Sequence, residues 1–274
     1  MVNQVESLFS LKNKVVVVTG ATGVLGEAFI NGLCAAQATI VVIGRNEDAA
    51  RQRVKDVTEA GGKAIYIIAD VLNEENLNDA HTEIMKTYGR IDALVNGAGG
   101  NIPEAVVQPG SDVFNLNINA LKQAFDLNLF GTIVPTQIFG KEIAKHGGSI
   151  VNISSVSASQ AVTRVLGYSL AKTAIDSYTK WMAVELANRY GDKVRMNAIV
   201  PGFFITNQNR ALLTNTDESL TSRGQAIITK TPFKRFGSPD ELIGALVYLL
   251  SDASKFVSGE SITVDGGFCA FSGV

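Results

Sequence analysis

Short runs of β-branched residues such as Lys14–Thr19 (KVVVVT) and Thr39–Ile43 (TIVVI) recur along the chain without polar alternation. A strand of that kind is buried on both faces, which calls for a parallel sheet covered by helices on each side. Further strands are expected at Ala64–Ala69, Ile91–Asn96, Ser149–Ser154, Lys193–Ile199 and Ser261–Val264. Helical patterns fill Gly23–Ala36, Asn46–Ala60 and Asn73–Tyr88, and Gly61-Gly62 stops the second of these. The rhythm predicts a doubly wound α/β fold of about seven strands. It continues to the end without linker or repeat, so one domain is expected over residues 1–274. Two segments break it. Gly97–Asp112 is a Gly/Pro-containing loop after the fourth strand, and residues 202–232 are rich in Thr, Asn, Gln and Arg. Loops at the carboxyl ends of parallel strands line the ligand crevice, so the second segment is expected to form a substrate lid.

Apolar residues make up 46% of the 274 residues and charged residues 18%, a balance that suits a compact core. A net charge of -2 gives no global field toward nucleic acid or an anionic membrane, and neither is expected as a partner. Cys34 and Cys269 are too few for a disulfide framework, which favours a reducing compartment. They have no metal-ligand spacing, and His81 and His146 are isolated, so no metal is expected. Met1–Lys14 has no apolar stretch long enough for a signal peptide, and no run approaches a membrane span. The expected location is the cytoplasm.

Thr19-Gly20-Ala21-Thr22-Gly23-Val24-Leu25-Gly26 lies between the first strand and the first helix. Glycines there allow a tight turn, a close backbone approach to a pyrophosphate, and helix–strand packing. The helix N-terminus adds free N–H groups and partial positive charge. A Rossmann-type dinucleotide site is therefore expected, with Gly20, Thr22, Gly23, Val24, Leu25 and Gly26 around the phosphates. The second strand ends in Gly44-Arg45-Asn46, where an acidic residue would favour NAD. Arg45 can instead pair with a 2′-phosphate, and with Asn46 it predicts a preference for NADP(H), with NAD(H) as second choice.

Tyr168-Ser169-Leu170-Ala171-Lys172 reads as the start of a helix, with phenol and ammonium four residues apart on one face. A tyrosine of ordinary pKa ~10 is a poor base at neutral pH, and a nearby ammonium favours its phenolate. Tyr168 is thus a candidate general acid/base.

Ser155 ends the fifth strand, 13 residues before Tyr168, and Asn128 lies on the helix before that strand. With TGATGVLG, Asp70-Val71, Asn96-Gly97-Ala98-Gly99, and Pro201-Gly202 followed by Thr206, this set resembles the short-chain dehydrogenase/reductase family from Val15 to about Gly267. The resemblance implies that Tyr168 exchanges a proton with the substrate oxygen and that Lys172 tunes it and bonds the nicotinamide ribose. It implies that Ser155 holds the substrate oxygen and that Asn128 anchors a relay water. Asp70 and Val71 would contact adenine, Asn96, Gly97 and Ala98 would line the cofactor cleft, Pro201 and Gly202 would belong to the cofactor site, and Thr206 would bond the carboxamide region or the pyrophosphate. Two features depart from the pattern of single-domain members. Gly20 and Gly23 are separated by two residues where three are usual, and Gly97 stands where a second Asn is common.

The substrate side reads as polar: Gly99-Gly100-Asn101, Thr163-Arg164, and Thr206-Asn207-Gln208-Asn209-Arg210. Amides and guanidinia suit a substrate with hydroxyls and a carboxylate. Together with the ending Asp265-Gly266-Gly267-Phe268, these pieces look like the D-mannonate oxidoreductase (fructuronate reductase) group of the family. That resemblance implies interconversion of D-fructuronate and D-mannonate, with Arg164 or Arg210 on the carboxylate and Asn101, Gln208 and Asn209 on hydroxyls. A reductase for another polyol, sugar or 3-oxoacyl substrate is the nearest alternative. An NADP(H) sensor without turnover is the alternative of another class, and it would have no need of the Ser155–Tyr168–Lys172 set. The family resemblance also implies a homotetramer, and Thr173–Ala187 and Glu241–Leu250 carry apolar residues beyond one core stripe.

Overall fold

The computed structural model of the protein describes residues 2–206 and 209–273; Asn207 and Gln208, the latter expected as a substrate residue, lie outside them. The elements are α1 (Val2–Phe9), β1 (Val15–Thr19), α2 (Val24–Ala35), β2 (Thr39–Gly44), α3 (Glu47–Glu59), β3 (Lys63–Ile68), α4 (Glu74–Tyr88) and β4 (Ala93–Asn96). There follow α5 (Ile118–Phe125), α6 (Gly131–His146), β5 (Gly148–Ile153), α7 (Leu166–Tyr190), β6 (Val194–Pro201), α8 (Arg210–Leu213), α9 (Ser222–Lys230), α10 (Ile243–Leu250) and β7 (Ser261–Val264). The strands form one sheet in the order β3-β2-β1-β4-β5-β6-β7, and every neighbouring pair is parallel. The expected Rossmann-like architecture is present, with each strand within two residues of its expected bounds.

The apolar strands follow from the two layers that cover them. On β1, Val16 and Val18 join a core with Phe29, Ile30 and Leu33 of α2 and Leu246 and Leu249 of α10. Val15 and Val17 face the opposite core, with Leu77 and Ile84 of α4, Phe139 and Ile143 of α6, and Leu186 of α7. Side chains alternate across a strand, so four consecutive valines serve two cores. Each fully buried one contributes about 1.5–2 kcal/mol.

Helix starts differ in a way that matters for the site. Asn46 and Asn73, expected as helical residues, stand before α3 and α4 as N-caps, their side-chain oxygens accepting from the N–H of Ala49 (3.0 Å) and Asn76 (3.1 Å). Helix α2 has Gly23 at this position and no side-chain cap. Between α5 and α6 the helix widens into a π-helical segment, Asp126–Phe130, that contains Asn128. After β6, Arg210–Leu213 forms α8 and Ser222–Lys230 forms α9, and a bridge between Thr214 and Leu220 ties the segment between them. Among the described residues no helix is long and apolar enough to cross a membrane.

Candidate active site

A cavity of about 450 Å³ runs along the carboxyl ends of the strands. It spans the switch point between β1 and β4, where chain order reverses, the usual ligand crevice of open parallel sheets. One end is lined by Gly20, Thr22, Gly23, Val24, Leu25, Gly26, Gly44, Arg45, Asp70, Val71, Gly97 and Ala98. Gly20 has φ +65, and a Cβ there would lie 2.5 Å from the carbonyl carbon of Gly97. No other residue fits that conformation and that approach together. The uncapped N-terminus of α2 leaves its first N–H groups facing this end, an arrangement suited to the phosphates of a dinucleotide. Arg45 lies 3.7 Å from Asp70, with its side chain 73% exposed. Asn46, expected beside it, does not line the cavity, because its side-chain oxygen is bound to the start of α3.

Tyr168 sits in the first turn of α7, one turn before Lys172. The Lys172 Nζ lies 5.4 Å from the centre of the Tyr168 ring and donates to the carbonyl of Ile153 at 2.6 Å. Lys172 is almost fully buried, and desolvation pushes its ammonium down to about 8. Burial pushes the Tyr168 phenol up, while the hydroxyl of Ser155 acts in the other direction. Ser155 starts a short 3-10 turn, where its oxygen accepts from the N–H (3.2 Å) and hydroxyl (3.1 Å) of Ser157. Its own proton is then free to donate into the cavity. Ser155, Tyr168 and Lys172 all line the same cavity.

Asn128 is fully buried and does not line the cavity. Its side-chain oxygen accepts from the N–H of Gly100 (2.9 Å), and its amide donates to the carbonyls of Gly100 (2.9 Å) and Ala124 (2.8 Å). Both amide protons are engaged, so the side chain clamps the 99–100 strap and has no donor left for the expected relay water. A Cβ on Gly99 would lie 2.7 Å from the Asn128 Oδ1 and 3.3 Å from the Lys172 Nζ, which shows how closely the strap covers the lysine. Asn96 likewise stands behind the cavity. It is buried, and its amide donates to Thr136 and Asn152, both at 2.9 Å, tying β4 to α6 and β5.

The substrate end differs more from expectation. Asn101, Thr206 and Asn209 line the cavity, as do Pro201 and Gly202, whereas Arg164 and Arg210 do not. The Asn209 side chain accepts from the N–H of Thr206 and donates to the carbonyl of Phe204, both at 2.8 Å, so it ties the start of α8 to the end of the preceding segment. The buried Asn101 Oδ1 has no protein partner. Sequence reasoning missed the wall residues Val162, Val165, Leu212 and Leu213, and it missed Arg223 of α9. The wall is therefore mixed rather than uniformly polar. Asp176, one turn beyond Lys172, was also missed; burial raises its carboxyl, and Ser154, Lys180 and Lys172 counter that rise. Its spacing from Lys172 was a readable signal. Arg223 lies 55 residues after Tyr168 on another helix, and no local pattern marks it.

A family model described as Enoyl-(Acyl carrier protein) reductase matches residues 20–269. The chain belongs to the short-chain dehydrogenase/reductase family. Among relatives of this short-chain dehydrogenase/reductase, an uncharacterized oxidoreductase of Bacillus subtilis (strain 168), UxuB, is 40% identical over 97% of this chain and 98% of its own. A crystal structure from Haemophilus influenza with bound NAD, provisionally named a D-mannonate oxidoreductase, superposes with TM-score 0.89 at 39% identity. That match covers 98% of this chain and all of the other. A gluconate 5-dehydrogenase from Burkholderia cenocepacia J2315, solved with NADP and tartrate, matches with TM-score 0.84 and 31% identity over 97% and 99% of the two chains.

Proposed function

We propose that this short-chain dehydrogenase/reductase uses NAD(P)(H) to interconvert a ketone and a secondary alcohol on a sugar acid, with D-fructuronate and D-mannonate as the pair. The observation that carries the reading is one cavity lined by the α2 glycine cradle, Ser155, Tyr168 and Lys172. The cradle and the free N–H groups of α2 fit a dinucleotide pyrophosphate, and Asp70 and Val71 stand at its adenosine end. When bound, the nicotinamide supplies or takes the hydride. In reduction, Tyr168 gives its proton to the substrate oxygen, and Ser155 donates a hydrogen bond to the same oxygen. The Lys172 ammonium stabilises the phenolate left behind. Oxidation runs the same steps in reverse. Relatives named for mannonate and gluconate, one of them holding tartrate, support a polyhydroxylated acid. Asn101 Oδ1, buried and unpartnered, suits a substrate hydroxyl.

Arg45 supports a preference for NADP(H). Its 3.7 Å pairing with Asp70 is exposed and therefore weak, so the guanidinium is available to a 2′-phosphate. The valine and leucine side chains on the wall favour a second reading, a carboxylate with fewer hydroxyls. Residues 202–232 act as the substrate lid in either case. Exposed Leu170, Trp181 and Val184 on α7 support the homotetramer, and the cytoplasm remains the proposed location. The test is an assay of purified protein with NADPH and NADH against uronates, keto-aldonates and apolar ketones. Turnover of the keto-uronates upholds the proposal; turnover of the apolar ketones alone ends it.

A further inference from the structure

The lid brings a cation into the cavity that the sequence pattern did not mark. Arg223 is the second residue of α9 and lines the same cavity as Tyr168, Ser155 and Asn101. Its Nη1 donates to the Thr163 hydroxyl at 3.2 Å and its Nη2 to the Thr163 carbonyl at 3.0 Å. Those contacts fix the guanidinium and use two of its five N–H donors, leaving three. Arg164 is the next residue. Its backbone is left-handed, at φ +76, a conformation that costs an arginine about 1–2 kcal/mol. The Arg164 carbonyl accepts from the Val107 N–H at 2.8 Å, which holds that segment in place.

Arg223 and Arg164 are close enough for the second charge to lower the pKa of the first, in addition to the larger effect of desolvation. Among the described residues neither guanidinium has an acidic partner. Two like charges set together and partly withdrawn from water are unfavourable until an anion joins them. Planar carboxylates match the guanidinium fork, so the missing anion has a defined chemistry.

We propose that Arg223, with Arg164 behind it, binds the carboxylate of the substrate and sets the enzyme's selectivity for acids over uncharged ketoses. This rests on the sugar-acid reading above and replaces the pairing of Arg210 with that carboxylate. Arg164 keeps a supporting role through its charge, without lining the cavity.

The test compares kcat/KM for a keto-uronate with that for the uncharged ketose of equal chain length. Arg223→Gln is expected to lower the acid-over-ketose ratio about 30-fold, the scale of a charge-assisted hydrogen-bond pair, mainly through KM for the acid. Arg164→Gln should lower it only about 3-fold, as expected for a charge without direct contact. A merely structural role for Arg223 would instead lower turnover of acid and ketose alike and leave the ratio unchanged. An unchanged ratio in Arg223→Gln, with the acid still turned over by wild type, overturns the anchor and leaves the sugar-acid reading standing. A wild-type enzyme that prefers the ketose overturns both. If Arg223→Gln loses its thermal transition and cofactor binding, Arg223→Lys decides the question. It keeps the charge without the fork, so a lowered ratio upholds the anchor and an unchanged ratio overturns it.

Discussion

Where β1 meets α2 the cavity wall is mostly backbone: Gly20, Gly23, Gly26 and Gly97, with the uncapped start of a helix. Under α8 and α9 the wall is made of side chains: Val162, Val165, Leu212, Leu213, Asn209 and Arg223. In the proposed reading the first end would recognise a pyrophosphate through groups that every residue possesses, so its requirement falls on what must be absent, namely a Cβ. In the same reading the second end would recognise its ligand through side-chain shape and charge, which single substitutions can alter. A shared cofactor and a varied substrate are the expected outcome of such a division. Between the two ends stand Ser155, Tyr168 and Lys172, and the largest expected effect belongs to them. Tyr168→Phe should lower kcat by about 10³-fold, within the range of general acid–base catalysis, while NADP(H) binding measured by fluorescence is retained. Loss of binding together with activity would assign the hydroxyl to the cofactor end instead.

Gly20→Ala probes the backbone end. The substitution forces a left-handed alanine and sets its Cβ against the Gly97 carbonyl, 2.5 Å away. The two effects together amount to about 3 kcal/mol, or roughly 100-fold in NADP(H) affinity if the turn stays formed. A fold-wide loss of thermal stability with unchanged affinity would mean the turn serves packing rather than the dinucleotide.

This division also explains what could be read from the sequence. The strands were legible because two-sided burial writes itself as continuous apolar runs, as in Val15–Val18. The glycine cradle and the Tyr168–Lys172 pair were legible because each is a local device, one turn or one helical step long. Arg223 was not, because its place in the cavity depends on how α9 folds back over Thr163. Asn209 was read as a ligand for hydroxyls because its amide is exposed to view in sequence, while its two backbone partners are not. Asn128 and Asn96 were placed in the right neighbourhood, but the structure sets both behind the cavity wall rather than on it. Both side chains are bound to protein groups behind the cavity.

Arg45→Asp sharpens the comparison at the adenosine edge, the one part of the cofactor end that relies on side chains. It places a carboxylate beside Asp70, and the NADPH-over-NADH ratio of kcat/KM should fall about tenfold or more, through repulsion of the 2′-phosphate. An unchanged ratio would show that Arg45 is a solvated strand-end charge. The pH profile addresses the middle of the cavity. Reduction needs a neutral phenol and a charged ammonium. Burial holds the phenol's proton to higher pH, while the Lys172 ammonium, depressed to about 8, is lost as pH rises through that value. For reduction, kcat/KM should therefore be level below about 8 and fall up to tenfold per pH unit above it. Lys172→Met should remove that limb. A profile falling on the acid side near neutrality would contradict the assignment.

The smallest effect concerns the end of the cavity under α8 and α9. Asn209 makes two 2.8 Å hydrogen bonds to the backbone of Phe204 and Thr206. Each such bond contributes about 0.5–1.5 kcal/mol, and water can replace part of both at this partly exposed position. Asn209→Ala should thus loosen the tie between the start of α8 and residues 204 and 206. The expected result is a rise of about 3-fold in KM for the acid substrate, with kcat and NADP(H) affinity unchanged, on the scale of one net hydrogen bond. If Asn209 bound a substrate hydroxyl directly, removing that hydroxyl from the substrate would abolish the difference between variant and wild type. A pinning role predicts the same 3-fold difference for every acid tried, because the loop, rather than the ligand, has lost its contact.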